Sequence, residues 1–229
     1  MPATSLKERV PLCWIVLSVG LALVVAGSGV IAAGLATGWF AHQQAAARQH
    51  DDEGALRAWD SGGSRGLAGA VPAAPSPSQV ASQPACGGGS DPGALALVEF
   101  TGLPEYDYAA VAVNGDWSDL DDHSMVHWYG SAAPGAEGDV IIAFHREPDF
   151  EYIDELSAGD TVTLQDGDCN LYVYTVTQRW VLAPAAVTQL VPTSGHLLTL
   201  VTCTPWWVDS QRLVWRATLT SVNGSPVSS

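Results

Sequence analysis

Thr199-Leu200-Val201-Thr202-Cys203-Thr204-Pro205 is a β-patterned run that ends on a cysteine and is closed by a proline unable to continue a ladder. A cysteine in that position sits at the rim of a sheet, half exposed rather than packed. The next β-patterned run, 211–219, opens with Gln211-Arg212 after the short connection 204–211. Two strands joined so closely pair antiparallel, which sets Cys203 opposite Arg212 across the base of the loop. A third run, 139–144, is continuously apolar after its aspartate and delivers His145 to a rim as well. A thiol becomes a useful nucleophile when a cation or a base can hold it as thiolate. One thiol, one imidazole and one guanidinium therefore converge from three strand ends. The plainer reading of each residue is a disulfide cysteine and a structural histidine.

The rest of the C-terminal part shows the same texture. Residues 96–100, 109–113, 160–164, 171–176 and 196–202 read as strands, broken by Asn114-Gly115 and Asp166-Gly167 turn signals. Short helical pieces fit 117–128 and 153–156. Seven or so strands at this spacing, without long helices, argue for an all-β fold, a closed or nearly closed β-barrel.

Residues 94–229 hold 18 Asp and Glu against four Arg (Arg146, Arg179, Arg212, Arg216) and no Lys, within a chain of net charge -15. So acidic a domain repels phosphate backbones, and nucleic acid is not an expected partner. The scarcity of cations also narrows the choice for any fixed positive charge to those four arginines. There is no CxxC or His–Cys spacing for zinc and no oxygen-ligand spacing for calcium, so neither a metal nor a cofactor is expected.

Towards the N-terminus, residues 10–40 carry no charge, a run long enough to cross a bilayer as a helix and too long for the apolar core of a cleaved leader. Lys7 and Arg9 precede it, so the expected order is a cytoplasmic tail (1–9), a transmembrane anchor (10–40), and an extracellular remainder. Residues 41–93, rich in Ala, Gly, Ser and Pro, read as a disordered, flexible linker, and 94–229 as the catalytic domain. Cys13 falls inside the anchor as a small apolar filler. Cys86 and Cys169 are both outside the cytoplasm on this topology and could form a disulfide.

Thr199–Cys203 matches the TLxTC signature of the sortases, and Arg212 stands nine positions on, where that family keeps its arginine. The segment 135–146, ending Phe144-His145-Arg146, is similar to the one that delivers the sortase histidine; 153–160 and 174–184 continue the likeness. The resemblance covers about 95–219. It implies an eight-stranded sortase barrel in which Cys203 attacks the Thr–Gly bond of an LPxTG- or LAxTG-like sorting signal to give a thioacyl-enzyme. It implies His145 as acid and base, Arg212 as the group that binds substrate carbonyls and the oxyanion, and a cell-wall precursor amine or a pilin lysine as acceptor. The short loop after Cys203 and the anchor after a basic tail look most like class E, the housekeeping type of high-GC Gram-positive bacteria. Asp91-Pro92 is followed by Gly93 instead of the aromatic residue of a pilin-sortase lid, and 220–229 is polar. Class E enzymes usually place glycine before the histidine; Phe144 stands there in this chain, with a benzyl group able to crowd His145 or reshape the groove.

On the substrate side the candidates are Thr202, Trp206, His127 and, from the segment 183–195, Ala186, Val187 and Leu190, which could equally form a helix packed on the barrel. Arg216 shares a strand face with Arg212 and is the alternative cation; Arg146 is expected at the surface. Two other functions fit the same residues: a cysteine hydrolase, in which water resolves the acyl-enzyme, and an inactive barrel acting as an interaction module.

Overall fold

The computed structural model describes residues 12–61, 86, 93–189 and 193–227, and its contacts divide the chain at residue 44 into two units. In the first unit the chain is helical, part of α1 (Leu12–Ser61). No helix among the described residues is long and apolar enough to cross a membrane, and the expected anchor over 10–40 falls in large part on residues whose side chains lie outside the description.

The second unit, 45–229, is built on a β-barrel. Its strands are β1 (Ala94–Glu99), β2 (Ala109–Gly115), β3 (Met125–Trp128), β4 (Gly138–Phe144), β5 (Thr161–Asp166), β6 (Leu171–Leu182), β7 (His196–Thr204) and β8 (Gln211–Val222). They run in the order β6-β5-β1-β2-β3-β4-β7-β8, and pairing of β8 with β6 closes the barrel; a two-residue strand, β9 (Ser225–Pro226), is appended to β8. The β2–β3 and β4–β7 pairs are parallel and the others antiparallel. Every second residue points inward, as the pleat requires. Val98, Ala112, Val140, Ile142, Leu198, Leu200, Leu213 and Trp215 belong to one continuous core. Two polar groups taken into that core are satisfied: Trp215 donates to the Leu156 carbonyl (2.8 Å) and the Tyr174 hydroxyl accepts from Gly135 N–H (2.9 Å).

Three expectations change. The helical piece over 117–128 is only a 3₁₀ turn, Trp117–Asp121, held by a capping box between Asp116 and Asp119; Met125–Trp128 is strand β3. Four residues are too few to show a period, and what makes them a strand is the pair of neighbours, β2 and β4, that they bridge. Phe144 does not crowd the site. It points into the barrel, 2% exposed, against Phe100, Phe150 and Trp215, on the opposite side of the pleat from His145. The stretch read from its composition as the start of a linker is helical as far as Ser61. Its larger apolar residues share one face: Leu56 and Trp59, with Ala55, pack with Leu97 and Val111 on the outside of β1 and β2. Trp59, 1% exposed, donates its indole N–H to Gln165 Oε1 at 3.0 Å. Average composition hides so narrow a stripe. Residues 62–85 and 87–92 of the expected linker lie outside the described residues.

Cys86 and Cys169 are disulfide-bonded, with Cα atoms 5.1 Å apart and a sequence separation of 83. The bond fastens Cys86 to the turn between β5 and β6, beside Trp59. Closing a loop of that length removes chain entropy equivalent to about 4.5 kcal/mol from the unfolded state. Cys169→Ser should therefore lower the urea-unfolding free energy by about that amount, and dithiothreitol should impose the same loss on the wild-type protein. An unchanged midpoint in both would contradict a stabilising bond.

Candidate active site

Register brings the candidate residues together. β4 pairs in parallel with β7 through Ile141↔Thr199 and Ala143↔Val201, and β7 pairs antiparallel with β8 through Thr199↔Arg216, Val201↔Val214 and Cys203↔Arg212. On the outer face these make successive rows. Ala143, Val201 and Val214 form a small apolar cluster with Leu120, Trp180 and Leu182. One pleat further, Cys203 and Arg212 face each other, and His145 lies two residues beyond Ala143 just as Cys203 lies two beyond Val201. Adjacent strands are about 4.8 Å apart, so one row carries the imidazole, the thiol and the guanidinium. Beneath it, on the inner face, Thr202 Oγ1 donates to the Phe144 carbonyl at 2.7 Å, joining the residue before Cys203 to the residue before His145.

Burial sets the electrostatics. Cys203 is free and half-buried; burial pushes its thiol from the ordinary 9.0 up to about 11. Arg212 opposes that rise, while the carboxylates of Asp209 and Glu147 add to it. Burial also holds His145 below the usual imidazole value, although the Leu120 carbonyl, 2.7 Å from Nε2, pulls the other way. Arg48 reinforces the lowering, and Asp209 and Asp121 oppose it. A carbonyl only accepts, so Nε2 carries the ring proton and Nδ1 is left as the basic nitrogen. Near neutrality the resting pair is thus an uncharged thiol and an uncharged imidazole. Arg212 Nη1 donates to the carbonyls of Asp209 and Gln211, both at 3.0 Å, which folds the guanidinium over its own turn beside Cys203.

The other candidates separate clearly. Arg216 is committed elsewhere on the same face: it pairs with the fully buried Asp139 at 3.1 Å, donates to Thr199 Oγ1 and lies over the Trp180 ring at 5.8 Å. Thr199 in turn donates to both Asp139 oxygens, at 2.8 and 2.9 Å. Trp206 stands in the turn after Cys203, half-buried, edge-on to Trp207. Ala186 is half-exposed in the 3₁₀ turn Pro184–Gln189; the side chain of Val187, and all of Leu190, lie outside the described residues.

Two of the substrate-side candidates are buried in this structure. Thr202 is 2% exposed and points into the barrel, because a residue next to an outward Cys203 must face inward; its hydroxyl serves the backbone of β4. His127 is 3% exposed, and its ring nitrogens meet Asn114 Oδ1 at 2.9 Å and the Ala132 carbonyl at 2.8 Å, inside the β2–β3–β4 connection. Arg146, expected at the surface, is 4% exposed and ties the loop after His145 to Thr204. Asp209, Glu147 and Arg48 were not among the sequence candidates. A carboxylate near a thiol has no spacing signal, and Arg48 arrives from a segment read as linker.

A family model described as the sortase domain matches residues 102–220. Solved structures similar to this chain include sortase C1 from Streptococcus agalactiae, with TM-score 0.50, 26% identity, and coverage of 57% of this chain and 69% of that one. Sortase C from Clostridium perfringens with the C-terminal cell wall sorting motif gives TM-score 0.50 and 24% identity, covering 56% and 71%. Sortase A from Corynebacterium diphtheriae gives TM-score 0.49 and 26% identity, covering 58% and 63%. No curated protein matches the chain.

The raised thiol has a measurable consequence. Iodoacetamide modification of Cys203, followed by intact mass, should keep rising about tenfold per pH unit past pH 9 and level off near 11. Asp209→Asn, which removes a negative charge that raises the thiol, should move that midpoint down. A plateau at or below pH 9 in the wild-type protein would contradict the assignment.

Proposed function

The chain belongs to the sortase family of cysteine transpeptidases, and on that premise we propose that it cleaves an LPxTG- or LAxTG-like sorting signal between Thr and Gly and joins the protein to a cell-wall amine. The observation that carries the reading is the facing pair Cys203↔Arg212 with His145 one strand away on the same row. Cys203 Sγ attacks the Thr carbonyl carbon as its proton passes to His145 Nδ1. Arg212 neutralises the oxyanion that forms. The resulting imidazolium returns the proton to the departing Gly nitrogen, which leaves the acyl group on sulfur as a thioester. An incoming amine then attacks the thioester, gives its proton to His145, and expels the Cys203 thiolate, which is reprotonated. Because both groups rest uncharged, only the proton transfer within the complex makes the reactive ion pair, and His145 supplies base and acid in turn.

Trp206, in the turn after Cys203, would line the groove for the sorting signal or the acceptor, and Ala186, in the segment ahead of β7, is a further candidate contact, as are Val187 and Leu190 on their sequence position alone. The short 204–211 connection and Gly93 in place of a lid aromatic favour a housekeeping, class E-like role. The uncharged run 10–40 behind Lys7 and Arg9 supports a single-pass anchor with the catalytic domain outside the cell, close to membrane-bound substrates and a lipid-linked amine.

The test incubates the full chain in detergent micelles with an LPxTG-type or an LAxTG-type peptide, plus triglycine or a lysine-bearing pilin-type peptide. A ligated product that vanishes in Cys203→Ala is expected. Cleavage without ligation would indicate the hydrolase, lysine-only ligation the pilin-polymerising enzyme, and no turnover the inactive module. Arg212→Ala should abolish ligation by removing the oxyanion's cation. Arg216→Ala strands a buried Asp139 carboxylate, so it should cost about 3–5 kcal/mol of stability, with folded protein retaining most of its turnover. The reverse pattern would mean that the arginines are exchanged.

A further inference from the structure

Two side chains of the loop that follows His145 hold it to the end of β7 and to the turn after it. Arg146 is 4% exposed, an uncommon state for arginine unless it is fully engaged. Its Nη1 donates to Thr204 Oγ1 at 3.3 Å, its Nε and Nη2 donate to the Glu151 carbonyl at 3.2 and 2.8 Å, and Nη2 pairs with Asp154. The guanidinium also lies over the Trp206 ring, 5.7 Å from its centre. The next residue, Glu147, is 8% exposed and accepts from Trp207 N–H at 2.7 Å. Neither side chain reacts in the chemistry derived above. The connectivity nevertheless has a direction: the two residues after the histidine grip Thr204, Trp206 and Trp207, which follow the cysteine. The strand ladder does not reach this far, since the last parallel pair is Ala143↔Val201. Beyond it, the Thr202–Phe144 hydrogen bond is made on the inner face only.

We propose that Arg146, seconded by Glu147, is a positioning residue that sets His145 against Cys203 by clamping the β4 exit loop onto the turn after β7. Arginine suits the place because its planar fork satisfies one carbonyl, one carboxylate and one hydroxyl while its face covers an indole; lysine offers a single point of charge. The clamp acts outside the pleat, where the two loops would otherwise move independently. It holds a donor–acceptor geometry that proton transfer needs within about half an ångström.

The inference rests on the transpeptidase reading, and its test uses the full chain in detergent with the sorting peptide and triglycine. Arg146→Ala should lower kcat about tenfold to a hundredfold while KM for the peptide stays within about threefold, since a misplaced reacting group costs turnover before it costs binding. Thr204→Val, which removes the acceptor hydroxyl without changing charge, should lower kcat in the same direction. Thr204→Ser should restore it, and the Arg146→Ala, Thr204→Val double variant should be no worse than Arg146→Ala alone. If Arg146→Ala does not fold, the contrast between Thr204→Val and Thr204→Ser decides. Wild-type kcat in the variants, or a rise in KM alone, overturns the clamp while leaving the function intact. A wild-type chain inert towards every peptide overturns the function and the clamp with it.

Discussion

Pairing of β7 with β4 on one side and β8 on the other is the constraint from which the site follows. A strand admits only two faces, and the register Ala143–Val201–Val214 commits the odd-numbered positions of β4 and β7, and the even-numbered ones of β8, to the outside. Cys203 and Arg212 then face outward together, with His145 next in line, while Phe144, Thr202 and Leu213 face inward. A slip of one residue in either pairing would turn Cys203 away from its partners. The barrel protects that register with a continuous apolar core and with a buried network in which Asp139 joins Thr199 on β7 to Arg216 on β8. The threonine that opens the TLxTC run and the one before its cysteine thus both serve the register: the first through Asp139, the second through the Phe144 carbonyl.

The same burial that organises the row suppresses its charges. A thiol raised to about 11 beside an imidazole held below its usual value keeps little thiolate near neutrality and so reacts slowly with adventitious electrophiles. Asp209 has a double effect, since it disfavours the thiolate and favours the imidazolium. Arg212 acts against the first of these. On the proposed mechanism, a substrate carbonyl at the sulfur and an amine at the imidazole would supply what the resting site lacks.

Much of this was legible in the sequence because it depends on strand period and chain reversal. Cys203 opposite Arg212 follows from a short connection, His145 at a rim follows from the apolar run before it, and alternation alone would have turned Thr202 and Phe144 inward had it been applied to them. The Cys86–Cys169 bond was open to a topological argument but not to a decision, because proximity of a tether residue to a turn has no local signal. What could not be read is long-range. Strand β3 owes its conformation to its two neighbours, His127 is enclosed by a connection it helps to form, and Arg146 is buried by a loop eight residues further on. The docking of Trp59 on β1 and β2 was concealed by the low average hydropathy around it.

The central claim is that Cys203 forms the covalent intermediate. Acid-quenched reaction of the full chain with an LPxTG- or LAxTG-type peptide, digested and analysed by mass spectrometry, measures it directly. The account predicts an acyl fragment ending in threonine on the peptide that contains Cys203, lost in Cys203→Ala and accumulating in the absence of an acceptor amine. Ligated product formed with no adduct on Cys203, or an adduct on another residue, would contradict it.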